Sequence, residues 1–472
     1  MRTKKTITSI LSVTLSNLLT LVSGIFVGLL LPKIITVGDY GLYKTFTLYL
    51  TYAGFFSLGI IDGIVLDYGG YNLDQLDRPS FRSYFKWYAI IHSFFFGIII
   101  VISLFFDNAD YKFICIMLAV SMVANNFTGY FQQISQFTER FGEYSIRKII
   151  QSGINIVAIL ALYMIKQNGG NIDYKLYVIV FALTNVVLMC WYLITYRDIW
   201  VGKAAPIRAT GIQIKHLMLI GFPLLFANLC STLILTLDRQ FVNVLFDNDT
   251  YAIYAFAYNL LSLVTVATSA VSTVLYPLLK RTSEDVLKEN YQLISRLVLI
   301  TIFLAISAYF PLCILIDSFL PKYHDSLQIF RIIFPGLAIS TSVTVVMHNY
   351  YKTLGKNLIY FKKSIVVLLI SAFANIVAYY GFHTTQAISI ASIVTMVIWY
   401  CTSEQYFVKA YSIKRARTLS YLLTMMCLFY IVSLLGNPIL GFIIYLAIWI
   451  IVSMLFFMGK VDMKQVKKLI NR

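Results

Sequence analysis

Apolar runs of bilayer length recur along the whole chain, separated by short polar stretches rich in lysine and arginine. A helix needs about 20 predominantly apolar residues to cross the hydrocarbon core of a membrane. Reading between the polar breaks predicts 14 transmembrane helices, over residues 7–31, 42–66, 87–106, 113–137, 149–165, 176–195, 217–246, 252–278, 291–316, 327–350, 364–381, 387–408, 418–435 and 439–458. The seventh is the longest, and Asp238-Arg239 interrupts its apolar run. Gly436, Asn437 and Pro438 make a tight turn between the last two. The predicted fold class is an all-α, polytopic membrane protein.

Composition agrees with that pattern. Of 472 residues, 59% are hydrophobic and 12% charged, and the mean hydropathy is +0.78. Soluble domains carry about 25% charged residues, so a soluble enzyme, a disordered chain and a nucleic-acid-binding domain are all excluded. The net charge of +17 comes from basic clusters between spans and calls for no nucleic acid. All six cysteines fall in apolar runs without a CxxC spacing, which predicts neither disulfides nor a metal site. The MRTKK start runs into more than 20 apolar residues with no small-residue cleavage site, and reads as a retained first span.

The basic residues also orient the chain. With 14 spans both termini share one face, and that face carries 29 Lys and Arg against 5 on the other, Lys33, Lys112, Lys166, Lys175 and Lys322. The positive-inside rule places both termini in the cytoplasm. Every outer loop is about ten residues or shorter. The basic tail 460–472 is expected either to lie on an anionic leaflet as a short amphipathic helix or to be solvated.

The chain carries an internal echo. Asp39-Tyr40-Gly41-Leu42-Tyr43 opens span 2, and Thr250-Tyr251-Ala252-Ile253-Tyr254 opens span 8. Polar residues sit near the middle of spans 1 and 7: Ser16, Asn17, Asn228 and Ser231. Spans 7–12 then repeat 1–6. The expected organisation is an N-terminal lobe over 1–200, a cytoplasmic linker over 201–216, a C-terminal lobe over 217–410, and two further helices with the basic tail over 411–472.

These features together resemble the oligosaccharide (polysaccharide) flippase family, of the O-antigen or lipid-linked oligosaccharide exporter type, in the MATE-like MOP flippase superfamily. The residues that carry the resemblance are Tyr40-Gly41-Leu42-Tyr43, the Gly59/Gly63 stretch, Gly221-Phe222-Pro223, Asp238-Arg239, Tyr251 to Tyr254 and Tyr276-Pro277. The resemblance implies two pseudo-symmetric six-helix lobes around a central cavity open to each side in turn. It also implies export of undecaprenyl-diphosphate-linked sugar units for surface polysaccharide. A bacterial cell membrane, membrane lipids, a polysaccharide polymerase and glycosyltransferases are the setting and partners it suggests.

Ionisable side chains within spans are the site candidates, because each costs about 2.5–3.5 kcal/mol at the centre of a membrane helix. Arg239, Arg296, Arg331 and Lys44 are expected to make a cationic cavity for a diphosphate. Asp238 and Asp62 are expected to couple the cycle or to pair with cations. Asparagines 17, 125, 126, 155, 185, 228 and 375 are expected to join helices, some lining the cavity. His348 is either a proton carrier or an interfacial residue, and Pro223, Pro311 and Pro335 mark helices able to bend. No catalytic residue and no cofactor is predicted, and no GxxxxGK[ST] loop is present for an ATP-driven pump. Two alternatives remain: a cation-coupled multidrug or toxin exporter on the same fold, and a membrane glycosyltransferase or polymerase. The short outer loops count against the second.

Overall fold

The computed structural model describes residues 2–262, 279, 282–413 and 415–457, with side chains from Ser12 onward except at 207–209 and Arg415. The eighth predicted span beyond residue 262, the Tyr276-Pro277 pair and the basic tail lie outside the described residues. Helices dominate. In chain order they are α1 (Arg2–Ile34), α2 (Val37–Leu50), α3 (Ile60–Tyr68), α4 (Arg78–Leu104), α5 (Ala109–Phe137), α6 (Phe141–Gln167), α7 (Tyr174–Thr195), the short α8 (Arg197–Trp200) and α9 (Ile207–Leu245). They continue with α10 (248–262), α11 (Glu284–Ile306), α12 (Tyr309–Phe319), α13 (Ser326–Ile333), α14 (Gly336–Thr341), α15 (His348–Thr353), α16 (Asn357–Phe382), α17 (Thr385–Tyr411), α18 (Arg415–Ser433) and α19 (Pro438–Phe457).

Among the described residues, 11 helices are long and apolar enough to cross a membrane, or up to 13 if each of two bent pairs is one span. Leu369 and Phe373 of α16 and Ile443 and Leu455 of α19 are more than half exposed, as lipid-facing side chains are and water-facing ones rarely are. The chain is a multi-pass membrane protein.

Among the described residues the helices differ from the predicted spans in two systematic ways. Several helices begin well before the apolar run does: α4 starts at Arg78 against a predicted 87, α6 at Phe141 against 149, and α9 at Ile207 against 217. A basic, polar first turn does not end a helix when it lies in the headgroup zone. Two spans are also bent, and a third is interrupted by a turn at Ser307 and Ala308. Span 2 is α2 and α3 at 54° to each other, span 9 is α11 and α12, and span 10 bends by 43° at Pro335 and widens into a π-helical turn over Ser342–Met347.

The described residues fall into two compact units, one of Met1–Thr232 with Asn243–Ala252, the other of Leu233–Val242 with Ile253 onward. In the first, α1 packs along α6, and α5 packs against α4, α7, α2 and α3. Thr20 and Ser152 share a hydrogen bond of 3.1 Å between α1 and α6, and Lys148 Nζ donates to Asn17 Oδ1 at 2.7 Å. Its aromatic core is built from Phe81, Tyr84, Tyr88, Tyr130, Phe131, Tyr192 and Tyr196. In the second, α16 pairs with α17, α13 and α14 lie on α17, and α12 packs on α19.

Candidate functional site

The break in span 2 shapes the first unit. After α2 the chain makes a 3-10 turn over Ala53–Ser57, then passes through two left-handed residues, Leu58 at φ 50° and Gly59 at φ 80°. Leu58 is unusual there, since a branched side chain crowds its own backbone at positive φ. Gly59 is required for a second reason: a Cβ on it would meet the backbone of Gly221 and Phe222 at 2.9 and 2.8 Å. A Cβ on Gly221 would in turn collide with the Gly59 carbonyl, and one on Gly63 with the Leu217 carbonyl. So α3 and the first part of α9 cross backbone to backbone. His216 Nε2 and Asp67 Oδ2 lie 3.3 Å apart beside that crossing.

A second crossing lies where α2 meets the end of α9 and the start of α10. A Cβ on Gly41 would collide with the Asn248 carbonyl. Asn243 Nδ2 donates to Thr45 Oγ1 at 2.6 Å, and Tyr251 Oη donates to the Lys44 carbonyl at 3.3 Å. Between the two crossings the elements part.

A cavity of about 300 Å³ opens there, lined by residues of 51–62, by Asn126, Gly129 and Gln133 of α5, and by Leu225, Asn228, Leu229 and Thr232 of α9. Its polar lining includes Thr51, Ser57, Asp62, Asn126, Gln133, Asn228 and Thr232. Irregular backbone at membrane depth is tolerated where it borders such a polar hollow.

Of the six expected site residues, Asp62 alone lines this cavity. Lys44 does not, because its ammonium lies 5.1 and 5.5 Å from the ring centres of Tyr40 and Tyr43 on its own helix. The other four belong to the second unit. Asp238 is fully buried, and its Oδ2 accepts hydrogen bonds from the hydroxyls of Tyr254, at 2.7 Å, and Tyr258. Tyr254 in turn accepts from Ser389 of α17 at 3.4 Å. The Arg239 guanidinium lies 4.4 Å from the centre of the Tyr258 ring and donates to the Leu235 carbonyl at 2.8 Å. Arg296 donates to Gln292 Oε1 at 3.0 Å and faces the Phe457 ring at 5.9 Å. Arg331 is half-buried on α13 and has no hydrogen bond or ion pair among the described residues.

Charges missed in the sequence lie elsewhere. Glu404 is buried in α17, where it accepts from Tyr400 at 3.2 Å, and it joins Asp238 as a buried carboxylate, whereas Asp62 is half-buried. Arg147, expected in a loop, is buried in α6. It donates to Thr195 Oγ1 at 2.6 Å, lies 3.5 Å from Glu143, and stacks on Tyr192 at 4.2 Å. His348 is buried at the end of the π-helical turn and stacks on Tyr360 at 4.5 Å. Among the described residues no group of His, Cys, Asp and Glu is placed to hold a metal ion.

Residues 3–283 match the family described as polysaccharide biosynthesis protein, a stretch longer than half the chain. The chain belongs to that family. No curated protein matches it. Among solved structures it is similar to the lipid II flippase MurJ in its inward closed conformation, with a TM-score of 0.66 and 15% identity over 95% of this chain and 98% of that one. It is also similar to an inward-facing multidrug resistance MATE transporter of the MOP superfamily, with a TM-score of 0.63 and 13% identity over 84% and 94%. A third is a mutant of the Vibrio cholerae MATE transporter VcmN, with a TM-score of 0.53 and 12% identity over 87% and 99%. At these identities the likeness shows the fold alone, one shared with these transporters. Family and fold are therefore those that the sequence motifs resembled.

Proposed function

We propose that this polysaccharide biosynthesis protein is a flippase that moves polyprenyl-diphosphate-linked oligosaccharide units from the cytoplasmic to the outer leaflet of a bacterial cell membrane. The observation that carries the reading is the polar cavity between the backbone crossing of α3 with α9 and that of α2 with the start of α10, in a chain of this family. A transporter needs a wet hollow in the membrane and a seal on either side of it that can release in turn. The crossing at Gly59–Gly221 and the one at Gly41–Asn248 are those seals in this account, and one opens while the other holds.

The reading retains 14 spans, cytoplasmic termini, two six-helix lobes and a two-helix appendix, supported by the 29-to-5 division of basic residues. Arg239, Arg296, Arg331 and Lys44 serve to attract the diphosphate. Asp238 and Asp62 serve coupling or local pairing. The polyprenyl tail stays in lipid throughout, and no covalent step is required. Glycosyltransferases supply the cargo and a polymerase consumes it.

One observation favours a second reading, a cation-coupled exporter: among the described residues the cavity lining holds a carboxylate, Asp62, and no Lys, Arg or His. Deletion of the gene followed by analysis of membrane lipids separates the two. A flippase leaves a lipid-linked oligosaccharide accumulating behind the block; a drug exporter leaves the lipid pool unchanged and the cell sensitised to cationic compounds.

A further inference from the structure

We propose that Lys148, Asn17 and Tyr144 form a diphosphate-binding site between α6 and α1 of the first unit, which takes the head of the lipid-linked cargo at the cytoplasmic leaflet. This deepens the flippase reading and rests on it for the cargo and for which helix ends are cytoplasmic.

Lysine fixes the polarity of the cluster, because an ammonium has three hydrogens to give and no lone pair to receive one. Lys148 Nζ donates to Asn17 Oδ1 at 2.7 Å and to the Tyr144 hydroxyl oxygen at 3.2 Å. Its third hydrogen has no acceptor among the described residues. Asn17 accepts through its carbonyl, so the amide is oriented and both its hydrogens remain to be given. Tyr144 is an acceptor here and keeps its own hydrogen. The cluster is therefore a set of donors around one positive charge.

No carboxylate answers that charge. Asp39 is the first acidic residue of the chain, so α1 holds none. The one acidic residue of α6, Glu143, is engaged by Arg140, Arg147 and Tyr196. A charge kept within a membrane helix on neutral partners alone marks a place for a ligand of opposite charge.

The position suits a lipid head. Lys148 is seven residues into α6, about 10 Å from the start of the helix at 1.5 Å per residue. Tyr144, Lys148, Gln151 and Asn155 recur on one face of α6 and are all half-buried, whereas Ile146, Ile150 and Val157 on the opposite face are exposed. Ser145 with Ser12 at 3.4 Å and Ser152 with Thr20 at 3.1 Å clasp α6 to α1 on either side of Lys148, so two helices hold the donors in place. Diphosphate oxygens are negative and only accept, and they complete every free donor of the cluster with charge-assisted bonds. A neutral sugar leaves the ammonium unanswered.

Equilibrium binding of radiolabelled inorganic pyrophosphate to the full chain in phosphatidylcholine nanodiscs tests this, with the unfolding temperature read on the same samples. Lys148→Gln keeps a donor for Asn17 and loses the charge, and is expected to weaken pyrophosphate at least tenfold. Lys148→Arg should stay within about threefold of the unaltered chain. Asn17→Asp separates a ligand site from a structural rung: a carboxylate on the ammonium should raise the unfolding temperature and still weaken pyrophosphate at least tenfold. Farnesyl diphosphate is expected to displace pyrophosphate, and dihexanoyl-phosphatidylglycerol is not. Pyrophosphate binding indifferent to Lys148→Gln or to Asn17→Asp would overturn the proposal, and so would displacement by the phosphatidylglycerol, which would give the site to membrane phospholipid. The binding panel requires no transport: pyrophosphate bound as described without flipping in vesicles would sink the flippase reading alone, and flipping with binding indifferent to Lys148 would sink this proposal alone.

Discussion

Asp238 and Arg239 adjoin in sequence, yet they meet on different parts of one side chain: Tyr258 donates its hydroxyl to Asp238 and lies with its ring 4.4 Å from the Arg239 guanidinium. Neighbours on a helix point about 100° apart and cannot pair directly. The long phenol of α10 spans that angle, taking the carboxylate at its tip and the cation on its face.

Removing the tip alone separates the two contributions. Tyr258→Phe deletes one of two hydroxyls on a buried carboxylate and is expected to destabilise the chain by about 1.5–3 kcal/mol, the usual range for a hydrogen bond to a charged group. Tyr258→Leu should lose a further ~0.5–2 kcal/mol with the cation–π contact. Thermal unfolding in detergent, with Asp238→Asn and Arg239→Gln completing double-mutant cycles, reads both. Equal losses for Phe and Leu would show that the ring does not hold Arg239.

Arg239→Ala is expected to abolish polysaccharide export while leaving the protein inserted and abundant, and Arg239→Lys to restore it only in part, because an ammonium lacks the planar face that lies on Tyr258. Export and membrane abundance are measured side by side. Normal export by the alanine variant would remove Arg239 from the site.

The glycine crossing sorts the glycines around the cavity. Gly221→Ala forces a Cβ onto the Gly59 carbonyl, whereas a Cβ at Gly129 meets nothing within 4 Å. Gly221→Ala is expected to lower the unfolding temperature and to impair export. Gly129→Ala should raise stability by roughly 0.5–1 kcal/mol through helix propensity, while its methyl group narrows the cavity. A stabilised Gly129→Ala with reduced export would mark the cavity as the working part of the molecule.

Locking one seal stops a cycle that needs both. Thr45→Cys with Asn243→Cys places two thiols where side chains already touch at 2.6 Å. Oxidation is expected to halt flipping in vesicles and reduction to restore it, with each single variant unaffected by oxidant. Continued flipping by the oxidised pair would show that this crossing never opens.

How much of this was legible in the sequence depends on what each feature is made of. Helical class and the multi-pass character follow from apolar runs, and they are a composition signal. The start of α6 was not legible, because Arg147 and Lys148 look like a loop until Glu143, Tyr192 and Thr195 supply the partners that let a cation be buried. The break in span 2 left a trace in Gly59 and Gly63, but its cause, the close approach of Gly221 and Leu217, joins positions some 150 residues apart. His92 left no trace at all: it is one polar residue in an apolar run, and its meaning lies in the Asn126 amide opposite it. The emphasis on a cationic cavity came from counting charges along the chain, which cannot tell Lys44 lying against tyrosine rings from Asp62 facing a hollow.

The central claim is movement of a charged lipid head between leaflets, and the most direct measurement is flipping in sealed vesicles holding the purified protein and a polyprenyl-diphosphate oligosaccharide, with a potential imposed across the membrane. A head of charge about −2 gains roughly 2.3 kcal/mol per charge per 100 mV on leaving a negative interior, ~4.6 in all. The account predicts protein-dependent appearance of the oligosaccharide on the outer leaflet, accelerated by an inside-negative potential and lost in Arg239→Ala. No transfer above protein-free vesicles, or transfer that ignores the potential yet follows a pH or sodium gradient, would contradict it.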